Sequence, residues 1–279
     1  MIGELSSFLN ALSNSFCNTL GGKSTQITTW RNTLRLSSVT AFILILFVML
    51  FNLNTITLNL LLIGYAAGFI GGLGLPFLYK AFSIGAISFV SPVVALVQSM
   101  LIILFAVIIK DEQLSITFPI AAALGGIGLY LCSRQSQDHK KATWTQFLLA
   151  FAAASLFFGF SFFMTYVEPD QILPALFGAR IGVITLTFIF APKDDKKLLT
   201  KPTGWRKYAI LSGTFEIIAN LFFMLAINNL ELNKVAIIIA SAPALSVLVA
   251  IKLLHQRPSP VNWVGIAATT GALALIAVG

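Results

Sequence analysis

Long apolar stretches separated by short polar breaks run through the whole chain. Most stretches are close to the length of about 20 residues that an α-helix needs to cross a bilayer. Charged residues and clusters of Pro, Gly and Asn mark the breaks between them. The pattern predicts ten transmembrane helices, at residues 3–21, 31–51, 58–79, 85–109, 115–133, 146–167, 172–191, 208–229, 232–253 and 261–279.

The composition agrees with a polytopic membrane protein. The chain has 279 residues, of which 57% are hydrophobic and 10% are charged, and its mean hydropathy is +0.90. This is outside the range of soluble domains. Ten spans use about 200 residues, so we expect no separate soluble catalytic domain.

No constellation of residues predicts an enzyme or a bound cofactor. Cys17 and Cys132 lie in apolar segments, and neither has a partner at zinc-ligand spacing. The GGLG and GGIG sequences lie inside apolar helices, without the strand and lysine that a phosphate-binding loop requires. The first 22 residues lack a basic n-region, and we interpret them as a polar first span rather than a cleaved signal peptide.

The two halves of the chain resemble each other weakly. A shift of about 145 residues pairs Arg35 with Arg180 and Ala81 with Ala226. Each half holds five predicted helices, and an odd number inverts the second half relative to the first. We therefore predict an all-α fold of two inverted five-helix repeats, with repeats at 1–133 and 146–279 and a polar linker at 134–145.

The positive charge is distributed unevenly among the loops. The net charge is +8, which in a soluble protein suggests a nucleic-acid partner. Here, however, all but three of the 18 Lys and Arg residues lie in or beside the odd-numbered loops; the exceptions are Lys110, Arg180 and Lys234. The positive-inside rule places the odd loops in the cytoplasm and both termini outside, in a multi-pass protein of the cytoplasmic membrane. No nucleic-acid partner is expected.

Glu216 is the acidic residue that falls inside a predicted span. It lies about nine residues, and so about 12 Å, from the start of the eighth helix, where an unpaired carboxylate costs several kcal/mol. Ser212 and Asn220 are four residues before and after it and share its face. Glu216 is either a substrate or proton site or a structural group paired with Arg180 or Asn220.

Other polar and aromatic residues are candidates for the wall of a substrate cavity. The first helix carries Asn10 and Asn14 on one side, together with Ser7 and Cys17. Such a stripe serves either interhelical hydrogen bonding or cavity lining. Small and polar side chains also lie along the predicted fourth and ninth helices, near Pro92 and Pro243. The candidate substrate-binding residues are Glu216, Asn220, Asn10, Asn14, Gln98, Arg180, Tyr65 and Phe158.

Several segments carry a family resemblance. In the first half it rests on GFIGGLGLPFLYKAFSIGAISFVSPVVALVQSMLIILFAVIIKDEQLS, and in the second on SGTFEIIANLFFMLAINN and ASAPALSVLVAIKLLHQRPSPVNWVGIAATTGA. With these segments the chain resembles the EamA family of the drug/metabolite transporter superfamily. The resemblance implies ten helices in two repeats, and it places both termini inside, opposite to the cation count.

We therefore expect a secondary transporter that moves a small metabolite, amino-acid-like, amine-like or drug-like, by alternating access. The absence of a nucleotide-binding motif points to a gradient as the driving force, with proton coupling through Glu216 as one form. The alternative is a flippase for a lipid-linked sugar or another amphipathic lipid. The expected partners are the small-molecule substrate and the bilayer, and the chain is expected to be a monomer or a homodimer.

Overall fold

The computed structural model describes residues 1–52, 56–84, 87–113, 117–133, 143–190, 204–254 and 260–278. These residues are helical apart from turns and short connections. The helices are α1 (Ile2–Ile27), α2 (Trp30–Met49), α3 (Leu58–Ile84), α4 (Ile87–Ile109), α5 (Phe118–Ser133), α6 (Trp144–Met164), α7 (Ile172–Phe190), α8 (Gly204–Ile227), α9 (Leu232–Ile239), α10 (Ala242–Leu254) and α11 (Pro260–Val278).

Among the residues that the structure describes, five helices are long and apolar enough to cross a membrane: α2, α3, α6, α7 with the 3₁₀ turn before it, and α8. Large apolar side chains remain exposed on them, among them Phe47 and Phe188 at 62% and 69% exposure. Exposed apolar surface of this kind is expected where a protein meets lipid. The prediction of an all-α fold is confirmed for the described residues, and the five candidate spans agree with a polytopic membrane protein.

The predicted ninth helix is divided, so that eleven α-helices run through the described residues. α9 ends at Ile239, Ala240 and Ser241 form a turn, and α10 begins at Ala242. Pro243 has no main-chain N–H, and its ring disfavours a continuous helix through the preceding residues. In the first turn of α10 the missing donor costs nothing.

Other helix limits follow local sequence signals. Thr29 caps α2 by accepting a hydrogen bond from the Asn32 amide at 3.3 Å. Thr143 caps α6 in the same way, from the Gln146 amide at 3.2 Å. α8 begins at Gly204, four residues before its predicted start, and this lengthening places Glu216 at the middle of the helix rather than in its first half.

The helices form a bundle with a few extensive contacts. α1 packs mainly against α8, α3 packs against both α6 and α7, and α5 packs against α11. Glycines allow two close approaches: a Cβ at Gly68 would overlap the carbonyl oxygen of Ala179 on α7, and one at Gly213 would overlap that of Ser37 on α2. Small residues at helix contacts are the usual device for such proximity in membranes.

Two contacts join distant parts of the chain near the ends of helices. Both carboxylate oxygens of Glu112, which follows α4, accept hydrogen bonds from the first amides of α9, at 3.0 Å from Leu232 and 2.9 Å from Asn233. At the opposite end of the bundle, Gln146 donates to the carbonyl of Ala81 at 3.3 Å and so ties the start of α6 to the end of α3. The two contacts lie at opposite ends of the bundle, with its interior between them.

Candidate functional site

A cavity of about 130 Å³ lies in the interior of the bundle. Helices from both halves of the chain form its wall, namely α1, α3, α4, α6, α7, α8, α9 and α10. Much of the wall is apolar, including Phe157, Phe160 and Phe223, and Gly68, Gly71 and Gly72 let it come close to the α3 backbone. The polar residues on this wall come from α1, α3, α4, α6, α7, α8 and α10.

Four polar cavity residues lie near the midpoints of their helices. Asn14 is at the middle of α1 and Gln98 at the middle of α4. Arg180 and Glu216 hold the same position in α7 and α8, both of which are candidate membrane spans. For a helix that crosses a bilayer, this level is close to the middle of the hydrocarbon core.

Arg180 and Glu216 form an ion pair on the cavity wall. The Arg180 Nη1 atom is 2.6 Å from the Glu216 Oε1 atom. The Arg180 side chain is 2% exposed and that of Glu216 is 13% exposed. Of the described residues that line the cavity, these two alone carry charge, so the wall as a whole is neutral.

Each partner of the ion pair keeps one polar atom unused. Arg180 Nε and Glu216 Oε2 are buried and have no hydrogen-bond partner among the described residues. Leaving a buried donor or acceptor unsatisfied costs about 1–3 kcal/mol, and more for a charged group. One N–H donor on a cation and one acceptor on an anion are thus left without a partner, in two residues that line the same cavity.

The asparagines of α1 bind partly to the protein itself. Asn10 donates through Nδ2 to the main-chain carbonyl of Ala219 on α8 at 2.7 Å, and Asn14 donates to the Asn10 side-chain oxygen at 3.2 Å. Both line the cavity, as does Asn220 on α8. Asn10 therefore has an interhelical role as well as a position on the wall, which unites the two interpretations of the α1 stripe.

Gln98 reaches across the cavity to α6. Its Nε2 atom lies 3.4 Å from the hydroxyl of Ser161, which also lines the cavity. Ser91 on α4 and Ser246 on α10 line the cavity too, and their buried hydroxyl groups have no partner among the described residues. The side chains of Ser88, Pro92 and Pro243, also noted in the sequence, lie outside the described residues.

The cavity thus brings together six of the eight sequence-derived candidates: Asn10, Asn14, Gln98, Arg180, Glu216 and Asn220. Tyr65 and Phe158 do not line it. The Tyr65 ring stacks on Phe69 with centroids 5.9 Å apart, and Phe158 packs edge-on to Phe105 at 6.1 Å. The Tyr65 contact lies within α3, whereas Phe158 packs between α6 and α4.

Sequence reasoning missed a cluster of hydroxyl groups beside the ion pair. The Tyr79 hydroxyl lies 3.2 Å from that of Ser37 and 3.4 Å from that of Ser212, one helical turn before Glu216. Ser212 in turn donates to the carbonyl of Cys17 at 2.9 Å. The cluster joins α1, α2 and α3 to α8. Its sequence signal is weak because Ser and Tyr are common in helices that carry no site.

The second half of the chain matches a known protein family. The family model described as "EamA-like transporter family" matches residues 140–278. A solved crystal structure of another protein superposes on this chain with a TM-score of 0.75 and 18% sequence identity, and the match covers 99% of this chain and 96% of that chain. At this identity the likeness shows that the two proteins share a fold. No curated protein matches the chain.

Proposed function

We propose that this chain, which belongs through its second half to the EamA-like transporter family, is a secondary transporter of a small zwitterionic, amino-acid-like solute. The family makes it a membrane transporter of the drug/metabolite type. The observation that carries the finer proposal is the Arg180–Glu216 pair, with one unused polar atom on each partner beside the cavity. The substrate class, the mechanism and the driving gradient are parts of the proposal.

Charge supports a zwitterion over a net cation or anion. The described cavity wall is neutral, so a solute with a net charge would bring an uncompensated charge to the middle of the bilayer, which is costly. A zwitterion avoids this cost. Its ammonium group would bind the Glu216 carboxylate and its carboxylate would accept from the Arg180 guanidinium, both as charge-assisted hydrogen bonds. Asn14, Asn220 and Gln98 would add polar contacts, with Phe157 and Phe160 against the apolar part.

The cavity volume supports a small solute. A cavity of about 150 Å³ holds a molecule the size of benzene, and the present cavity measures about 130 Å³. Drug-sized ligands occupy pockets of about 300–1,000 Å³. Among the solutes expected from the sequence, an amino acid with a short side chain fits this space better than a drug or a lipid-linked sugar.

The packing supports two inverted repeats, at 1–133 and 146–279, with α9 and α10 together equivalent to α4. Exchanging α1 with α6 and α3 with α8 turns the α1–α8 contact into the α6–α3 contact, and both are extensive. The close approach at Gly68 has its counterpart at Gly213, about 145 residues later, which is the shift that relates Arg35 to Arg180. The repeats would rock about the ion pair and expose it to each side in turn.

A binding experiment tests the proposal with three probes that share one skeleton. Alanine is a zwitterion at neutral pH, alaninamide is a cation and N-acetylalanine is an anion. We expect alanine to raise the melting temperature of the purified protein in detergent, since a ligand at 100 times its dissociation constant adds about 2.7 kcal/mol. Glu216→Gln should abolish this shift, whereas Glu168→Gln, the same change on an exposed carboxylate before α7, should keep it.

A larger shift with alaninamide or N-acetylalanine would overturn the zwitterion assignment, as would equal alanine responses of the two variants. Stabilisation by a long-chain lipid-linked sugar, with no response to any of the three probes, would favour the flippase instead.

A further inference from the structure

Most of the described acidic residues lie at one end of the bundle, whereas most of the described Lys and Arg residues lie at the other. Outside the cavity, six acidic residues begin or follow helices at one end, where Glu112 contacts the start of α9. These are Glu4, Asp111, Glu112, Glu168, Asp170 and Glu231. At the other end lie the end of α1 and the starts of α2 and α8, which carry Lys23, Arg31 and Lys207.

Hydrogen bonds hold these three helix ends together. The hydroxyl of Ser24 on α1 is 2.8 Å from that of Thr33 on α2 and donates to the main-chain carbonyl of Trp205 on α8 at 3.3 Å. All three residues are buried. Lys23 directly precedes Ser24, Arg31 is two residues before Thr33, and Lys207 is two residues beyond Trp205. The contact therefore holds together the three helix ends that carry these cations.

Aromatic rings accompany two of the cations. The Arg31 guanidinium lies 5.1 Å from the centre of the Trp30 ring, and the Lys207 ammonium lies 5.1 Å from that of Tyr208. Arg31 and Lys207 are both exposed. Trp and Tyr beside exposed cations are typical of the level of the lipid headgroups. Trp30 is also the first residue of a candidate span, as expected at that level.

We propose that this surface, formed by Lys23, Arg31 and Lys207 at the end of α1 and the starts of α2 and α8, binds the headgroup of an anionic phospholipid. Arg31 presents a planar guanidinium that can bind a phosphate through two hydrogen bonds, and Lys207 and Lys23 supply further positive charge. The position beside two candidate spans favours a lipid over a soluble phosphate, because the acyl chains can lie along the exposed apolar faces of α2 and α8.

The test measures the melting temperature of the full chain in detergent with added phosphatidylglycerol, phosphatidylcholine or inorganic phosphate. We expect phosphatidylglycerol to stabilise the wild type more than phosphatidylcholine, and phosphate alone to have no effect. Arg31→Gln combined with Lys207→Gln should lose at least half of the extra shift. The matched control, Lys110→Gln combined with Lys234→Gln, removes two cations from the acidic end and should keep it.

Equal loss of the lipid response in both double variants would overturn the proposal, and so would a shift produced by phosphate alone. If the Arg31/Lys207 variant does not purify, the wild type provides a second test. The extra shift from phosphatidylglycerol should shrink when salt is raised from 0.1 M to about 1 M, since screening shortens the reach of surface charges from about 10 Å to about 3 Å. A salt-independent shift would contradict a headgroup site. None of these outcomes depends on the transported solute.

Discussion

Arg180 and Glu216 meet through one atom each, Nη1 and Oε1 at 2.6 Å, while Nε and Oε2 have no partner among the described residues. A pair built for stability alone would gain from satisfying these atoms. Burying two charges is also an inefficient source of stability, because desolvation offsets most of the attraction. We propose instead that a bound solute completes the arrangement.

This view predicts different effects for single and paired replacements. Glu216→Leu alone leaves the Arg180 charge buried and uncompensated, and should destabilise the protein by about 3–5 kcal/mol. Adding Arg180→Met removes the second charge and should restore most of the melting temperature, without restoring binding of alanine. A double variant that binds alanine as the wild type does would contradict the assigned role of the pair.

Gly68 tests the close contact between α3 and α7. In Gly68→Ala the new Cβ would overlap the Ala179 carbonyl oxygen, and we expect a loss of about 2 kcal/mol from overpacking, seen as a lower melting temperature. Gly126→Ala is the matched control, because a Cβ there meets nothing within 4 Å. Equal melting temperatures for the two variants would show that α3 and α7 are less closely packed than described.

Glu112 tests the link between α4 and α9. Glu112→Gln removes the charge that binds the first two amides of α9, and loss of such a cap typically costs about 1 kcal/mol. We expect faster hydrogen–deuterium exchange at the start of α9, measured by mass spectrometry on peptides that contain Leu232 and Asn233. Glu168→Gln should leave that exchange unchanged. Protection of α9 equal to that of the wild type would argue against the cap.

Tyr79 tests the hydroxyl cluster. Tyr79→Phe removes the group placed between Ser37 and Ser212 and should cost about 1 kcal/mol of stability, measured by thermal melting. In a Ser212→Ala background the same change should cost less, because one partner is already gone. Tyr65→Phe, on the same helix and outside the cavity, serves as the control. Identical effects in both backgrounds would mean that Tyr79 and Ser212 do not interact.

Local sequence signals were sufficient for much of the fold. Hydropathy places the helices because each must satisfy its own backbone within the bilayer, and α7 was predicted at 172–191 and lies at Ile172–Phe190. The division between α9 and α10 was not predicted. Pro243 was noted, but a proline in an apolar stretch can produce a kink, a break or only a cavity-facing carbonyl, and neighbouring helices decide among these.

The candidate site shows where sequence reasoning stops. Glu216 and Arg180 could be singled out because a charge inside a span is expensive wherever it faces. The direction of an aromatic ring carries no such penalty, so the positions of Tyr65 and Phe158 depended on which helices pack against α3 and α6. The Glu112 contact joins residues about 120 positions apart, and no local pattern indicates it.

Transport by purified protein in proteoliposomes tests the central claim most directly. Vesicles loaded with unlabelled alanine would be placed in trace labelled alanine, and its accumulation by counterflow compared among the wild type, Glu168→Gln and the Arg180→Met, Glu216→Leu double variant. We predict accumulation in the first two and the level of empty vesicles in the third. Accumulation by the double variant equal to that of the wild type would contradict the claim that transport proceeds through the Arg180–Glu216 pair.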